Sequence, residues 1–536
     1  MFALPRFLRR RKRLLGSLRK LHYRVWRTTG VSGITRLAPE LRDLANIVNN
    51  SPRSALAARG GGPRILFVSF RAWNTHAIVD ALVGHALRAR GADVHFFTCG
   101  GPLPVCDIAA HTTAPPMPCN TCAPFMTTLL STLRLPYFKT RDLLDAAPPP
   151  PDLDLAELTR PSLQWFLLSG NPPPDAETEA MRKKFLISGA LVARAMQQLL
   201  ERVRPDKLVL LNGIFFAERI AIELARRAGI PFVTHEGGFA PDTYVFARND
   251  FAPHYPLGEA WTEAARTPLT PAQNAMLDEY LGARFGRGND VGRYYPTIES
   301  DCAAILRQLS LDPSKPIVTL FTNVDWDTAT FAARSAFDNM EQWLAHTIAH
   351  FAARPERQLV IRVHPAEVRL PLLEPRDRAA DIIRRHFAAL PPNVRVIAPD
   401  SPLSSYTLMD LSAFGLVYTS TTGMEMALRG KPVVAAGRGY YAGKGFTFDA
   451  GSAAEYDALL DGAPAMTAER VELARRYAFL FFFRHHIKFP LTTTRGERIY
   501  FNFDRLAALE PGRDEFLDLI CDGILHDRPF LAEPPA

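Results

Sequence analysis

The stretch from Val417 to Asp449, VYTSTTGMEMALRGKPVVAAGRGYYAGKGFTFD, constrains the fold of this 536-residue chain more than any other. Leu416-Val417-Tyr418 is an apolar, strand-like run. Ser420-Thr421-Thr422-Gly423 turns the chain into a segment whose apolar residues Met424, Ala427 and Leu428 recur at helical spacing. Gly430 stops that helix, and Pro432-Val433-Val434-Ala435-Ala436 starts another strand. Strand, hydroxyl-rich turn, helix and strand in this order predict a parallel α/β sheet. The helix start presents unsatisfied N–H groups and the positive end of a dipole, which suits an anion such as a phosphate. Glu425, one turn inside the helix, is placed to accept hydrogen bonds from ribose hydroxyls.

About fifty residues upstream, Leu359-Val360-Ile361-Arg362-Val363 reads as a buried strand that ends at His364-Pro365. Proline cannot continue the ladder, so His364 is left at the carboxyl edge of a sheet, where open α/β folds bind ligands. RVHPAE followed by YTSTTGMEMALRGKPVVAAGRGYYAGKGFT resembles the bacterial capsule-polysaccharide glycosyltransferases, including Kdo transferases and, more distantly, polysialyltransferases. The resemblance covers roughly residues 315–450. It implies a GT-B architecture, two Rossmann-like domains facing a cleft. It also implies that His364 touches the phosphate of a CMP-activated sugar, with Ser420, Thr421 and Thr422 around it. Gly423, Arg362 and Lys444 complete the expected nucleotide-sugar site, the two cations helping to neutralise the departing nucleotide. No metal is then required. The pair Asp325-x-Asp327 is an alternative cation site, but equally a capped loop.

The length exceeds what one hydrophobic core supports and predicts two domains with extensions. The expected layout is a basic helical extension over 1–59, an acceptor-side Rossmann-like domain over 60–290, a nucleotide-sugar-binding one over 300–480, and C-terminal helices over 481–536. In the first domain, Arg64-Ile65-Leu66-Phe67-Val68 is a strand, followed by a short loop and the helical run AIVDALVGHALRARG. Lys207–Leu211 and Pro231–Thr234 are further strands, the latter running into His235-Glu236-Gly237-Gly238-Phe239. One of the late helices, at 467–483 or near Asp514–Leu525, is expected to cross back to the first domain.

The acceptor-side base should come from that first domain. His76 stands at the start of a helix, where Asp80, one turn on, could orient its ring and stabilise its charged form. Glu236 is the alternative base, since Gly237 and Gly238 let a ligand approach the backbone closely. His235 would then orient Glu236 or touch the acceptor.

The net charge of +8 is confined to the N-terminus: residues 1–30 hold ten Lys or Arg and no acid. The near-neutral remainder argues against a nucleic-acid-binding enzyme. On a helix, FLRRRKRLLGSLRKLHYRVWR would be cationic and amphipathic, the composition of a segment lying on an anionic membrane surface. With no apolar run of signal or spanning length, the expectation is a cytoplasmic protein, peripheral at the inner membrane through residues 1–30. Cys99, Cys106, Cys119 and Cys122 lie close together in sequence. They are read as reduced, buried thiols, with a four-thiolate structural zinc as the alternative that the six-residue first gap disfavours.

The expected activity is transfer of a sugar from a CMP- or UDP-linked donor to a surface polysaccharide or lipid-linked glycan. The rivals are a non-hydrolysing UDP-sugar 2-epimerase of the same fold and a non-catalytic scaffold of a polysaccharide-export system.

Overall fold

The computed structural model describes residues 61–113, 118–144, 152–286, 298–326, 335–369, 375–462, 464–495 and 498–534. The basic segment 1–30 and Asp327 lie outside them. Two compact units result. One comprises described residues 61–166, 173–255 and 485–533; the other comprises 167–172, 256–484 and 534.

The first unit is built on β1 (Arg64–Val68), β2 (Asp93–Thr98), β3 (Tyr137–Lys139), β4 (Lys207–Leu211), β5 (Phe232–Gly237) and β6 (Thr243–Arg248). Their spatial order is 3-2-1-4-5-6, with β6 alone antiparallel. The central strands are apolar on both faces, as a parallel sheet between helical layers demands. In β1, four of five residues are buried; in β4, all five are. The helix Asn74–Ala89 lays Ala77, Ile78, Ala81 and Leu82 against one face.

The second unit repeats the plan with β7 (Ile317–Phe321), β8 (Gln358–Arg362), β9 (Val394–Ile397), β10 (Phe414–Val417), β11 (Val433–Ala435) and β12 (Phe448–Asp449). All are parallel, in the order 9-8-7-10-11-12. Both sheets therefore have the doubly wound order whose direction of winding reverses at a central pair, β1/β4 in one unit and β7/β10 in the other. The α/β fold with two Rossmann-like sheets is as the sequence predicts.

The unit boundaries differ from the expected layout in two places. The region after 255 belongs to the second unit, because Pro271–Gly286 is stitched to the helix Ala468–Phe479. Arg475 donates to the Asn274 side chain at 2.8 Å and pairs with Asp278 at 2.7 Å. After Arg484 the chain returns to the first sheet. There β13 (Ile487–Lys488) pairs with β6, and β14 (Thr492–Arg495) and β15 (Arg498–Phe501) form a hairpin. The helix Glu515–His526 buries Leu517, Ile520, Cys521 and Ile524 in the first unit's core. It is the later of the two candidate helices that rejoins the first domain. Lys207 staples it, donating to Ile524 O at 2.5 Å and pairing with Asp527 at 2.7 Å.

Candidate functional site

In the second unit, β8 and β10 both neighbour β7, so their carboxyl ends and the residues after them stand side by side. Thr322 and Asn323 leave β7, His364 leaves β8, and Thr419–Thr422 leaves β10. Hydrogen bonds lace these ends together. The His364 N–H donates to Thr322 Oγ1 at 3.0 Å, and the Thr419 N–H donates to Asn323 Oδ1 at 3.2 Å. His364 Nδ1 accepts the Ala366 N–H at 3.1 Å, which in the neutral ring puts the proton on Nε2. Ser420 Oγ donates to Thr422 Oγ1 at 2.9 Å and accepts the Thr422 N–H at 3.3 Å.

Two tyrosines buttress the turn. Tyr441, fully buried, donates to Ser420 O at 2.6 Å, and the Tyr440 ring meets the Tyr441 ring edge-on at 5.1 Å. Gly423 has no room for a side chain: a Cβ there would overlap the Tyr441 hydroxyl. The sequence reading passed over Thr419, whose buried hydroxyl has no hydrogen-bond partner among the described residues. Thr322, Asn323 and Thr419 were nonetheless findable, because each directly follows a strand just as His364 does.

Two expected ligand residues, Arg362 and Glu425, have other occupations. Arg362 is 2% exposed and donates to Ala398 O at 2.9 Å and Ser401 O at 3.0 Å. It pins the chain after β9 and is not a phosphate clamp. The Glu425 carboxylate is already paired with Arg284, at 2.8 Å to Nε and 2.7 Å to Nη2. Arg284 comes from Pro271–Gly286, and nothing in the local sequence links it to Glu425. Lys444 stays half-buried beside Arg438, and burial followed by that like charge lowers its pKa. Asp325 accepts the Gly170 N–H at 3.1 Å, while burial and Asp377 push its carboxyl up to about 6.

In the first unit the start of the helix after β1, the residue after β4 and the carboxyl end of β5 bring together His76, Asn212 and Glu236. The Glu236 carboxylate is held from two sides: Oε2 accepts from Asn212 Nδ2 and Oε1 from the Gly237 N–H, both at 2.9 Å. His76 Nε2 lies 3.5 Å from Glu236 Oε1, and Tyr244 meets the His76 ring edge-on at 6.4 Å. Burial lowers the His76 pKa, against a smaller opposing pull from Glu236, so the ring is neutral at neutral pH. Asp80 does not orient His76 as expected. Its carboxylate faces the buried His235 at 2.6 Å, so His235 is committed to Asp80 and not to Glu236.

Just ahead of the helix that carries His76, Arg71 pairs with Glu218 at 2.8 Å and with Asp107, all three buried. Arg71 also lies 4.5 Å from the centre of the Trp73 ring. Cys99, Cys106, Cys119 and Cys122 line one small cavity beside Arg71. Burial raises the pKa of Cys99, Cys106 and Cys122, which keeps them protonated. No group of three His, Cys, Asp or Glu side chains among the described residues is arranged to hold a metal ion. Nor, among them, is any helix long and apolar enough to cross a membrane.

Residues 294–480, essentially the sheet of the second unit and its helices, match the family model described as capsule polysaccharide biosynthesis protein. The match takes in both the His364 and the Ser420–Thr422 motifs and agrees with the resemblance they carry. No curated protein matches the chain. Among solved structures, the chain is similar to the beta Kdo 2,4 transferase of Thermosulfurimonas dismutans KpsC at 15% identity. That alignment covers 57% of this chain and 87% of the other, with a TM-score of 0.34. The beta Kdo 2,7 transferase of the same KpsC gives 17% identity, coverage of 59% and 88%, and a TM-score of 0.29. A UDP-GlcNAc 2-epimerase from Neisseria meningitidis gives 13%, 77% and 97%, and 0.23. Likenesses this low carry no argument about activity, which rests on the family match and the site.

Proposed function

We propose that this chain is a glycosyltransferase that moves a sugar from a nucleotide-sugar donor to a surface polysaccharide or lipid-linked glycan, without a metal. The observation that carries the reading is the coincidence of the family match with the ends of β7, β8 and β10, where His364 and the Ser420–Thr422 turn stand on either side of β7. The proposed donor is a CMP-activated acidic sugar. Its single phosphate would take the His364 Nε2–H and the hydroxyls of Ser420, Thr421 and Thr422. Thr419 joins them as a fifth ligand, its buried hydroxyl supplying one further bond. Glu425, held by Arg284, would face the ribose, and Lys444 the acidic sugar.

The first unit supplies the base. Glu236 fits it better than His76, because two donors fix its carboxylate while burial weakens the imidazole as a proton acceptor. Glu236 would take the acceptor hydroxyl's proton as that oxygen attacks the anomeric carbon and the bond to the nucleotide phosphate breaks. The phosphate leaves with the electron pair, stabilised by His364 and the hydroxyls of Thr419–Thr422. His76 then positions Glu236, and Asp80 positions His235 behind it. Residues 1–30 would hold the enzyme on an anionic membrane surface, where a lipid-linked acceptor is presented.

Incubation with CMP-Kdo and a Kdo-terminated glycolipid, followed by mass spectrometry, tests the reading. A product heavier by one sugar residue together with free CMP is expected. Turnover of UDP-GlcNAc alone to UDP and ManNAc would replace it with the epimerase.

A further inference from the structure

The loop after Glu236 carries an aromatic ring that the proposed chemistry leaves unused. Phe239 is 40% exposed, although its loop is tightly braced. The Gly238 N–H donates to Thr243 O at 2.8 Å, and Thr243 Oγ1 donates to Ala240 O at 2.6 Å. Asp242 accepts from the Phe489 N–H at 2.8 Å and from Thr494 Oγ1 at 2.9 Å. A side chain at Gly238 would overlap Thr243 and His486, and a Cβ added at Gly237 would meet His76 Cε1 at 3.9 Å. The ring is therefore held in solvent by a fixed backbone, on a loop that runs against the His76–Glu236 pair.

Other rings back it. Tyr255 lies 5.8 Å away at 29°, and His486 lies 5.9 Å away at 38°. Tyr255 and His486 are themselves nearly parallel, at 11° and 6.3 Å. Such a cluster limits the orientations of the Phe239 ring and spares a ligand the cost of ordering it. The negative face of an aromatic ring attracts weakly positive C–H groups. A pyranose presents such an apolar C–H face, while its hydroxyls project from the rim toward polar neighbours.

We propose that Phe239 is the platform on which a pyranose ring of the glycan acceptor stacks, setting one of its hydroxyls beside Glu236. The assignment rests on the glycosyltransferase reading and adds to it an acceptor subsite in the first unit. Phe239 is a binding and specificity-determining residue, with no part in bond making.

Saturation-transfer NMR on the full chain tests it, with the methyl β-glycoside of Kdo and methyl β-d-glucopyranoside as probes. Wild type and Phe239→Trp should transfer saturation to ring C–H protons of at least one probe. Phe239→Ala should lose the effect by about fivefold or more. Equal transfer in Phe239→Ala, or no transfer in wild type, overturns the proposal. Thermal shift with CMP on the same three proteins separates the two readings. Phe239-dependent sugar binding without a CMP effect would leave the platform and sink the donor assignment. A CMP effect with Phe239-independent sugar binding would do the reverse.

Discussion

Replacing Glu236 by Gln changes one charge and almost no volume. Its carboxylate now accepts two hydrogen bonds, from Asn212 Nδ2 and the Gly237 N–H. A glutamine amide can keep only one of them, because its NH2 faces a donor wherever it points. The lost bond costs roughly 1 kcal/mol of stability, a fall in melting temperature of about 2–4 °C. Loss of a general base costs about 10²–10⁴ in rate, equivalent to roughly 3–5 kcal/mol in the barrier. Turnover should therefore collapse in a protein that remains folded, with donor KM little changed. Steady-state rates with CMP-Kdo and glycolipid, alongside a thermal melt, measure both effects. A kcat within tenfold of wild type would refute the assignment of Glu236 as base. A melting temperature lowered by well over 10 °C would mean that Glu236 is chiefly structural.

Arg71→Met should destabilise the first unit by about 3–5 kcal/mol, because it leaves two buried carboxylates without their cation, and a denaturant melt would register it. Arg284→Met should weaken CMP binding by releasing Glu425; unchanged affinity by calorimetry would separate Glu425 from the donor. Gly423→Ala should weaken CMP binding at least tenfold, since the new methyl displaces Tyr441 and with it the Ser420 carbonyl. Asp325 supplies a pH test. Its folded pKa of about 6 lies above the ordinary carboxylate value near 3.9, so the folded state holds more protons between these limits. Stability contributed by this group is thus present at low pH and lost as pH rises through about 6. Asp325→Asn should raise the melting temperature at pH 8 and leave it unchanged near pH 4.

Much of the fold was legible because both sheets are parallel and buried on two faces, so strands such as Ile317–Phe321 read as unbroken apolar runs. Strand ends were equally legible: His364-Pro365, Ser420–Gly423 and His235–Gly238 each break such a run with residues that cannot continue it. Partner choice was not legible. Asp80 sits one helical turn from His76, which suggested that pair, but the pleat of β5 turns His235 toward Asp80 across 155 residues of sequence. Arg362 looked like a free cation at a strand end, yet it is consumed by two backbone carbonyls after β9. Arg284 and Tyr441 meet the Ser420–Glu425 segment only through tertiary packing, for which no local pattern exists. The return of the C-terminal helix to the first unit was foreseen as an alternative between two helices. Only the packing of Ile520 and Ile524 decides between them.

The most direct test is calorimetric titration of CMP into wild type and His364→Ala. A single site in wild type, weakened at least tenfold in the variant with its fold intact, is the predicted result. Absence of CMP binding to wild type, or equal affinity in the two proteins, would contradict the donor site at the ends of β7, β8 and β10.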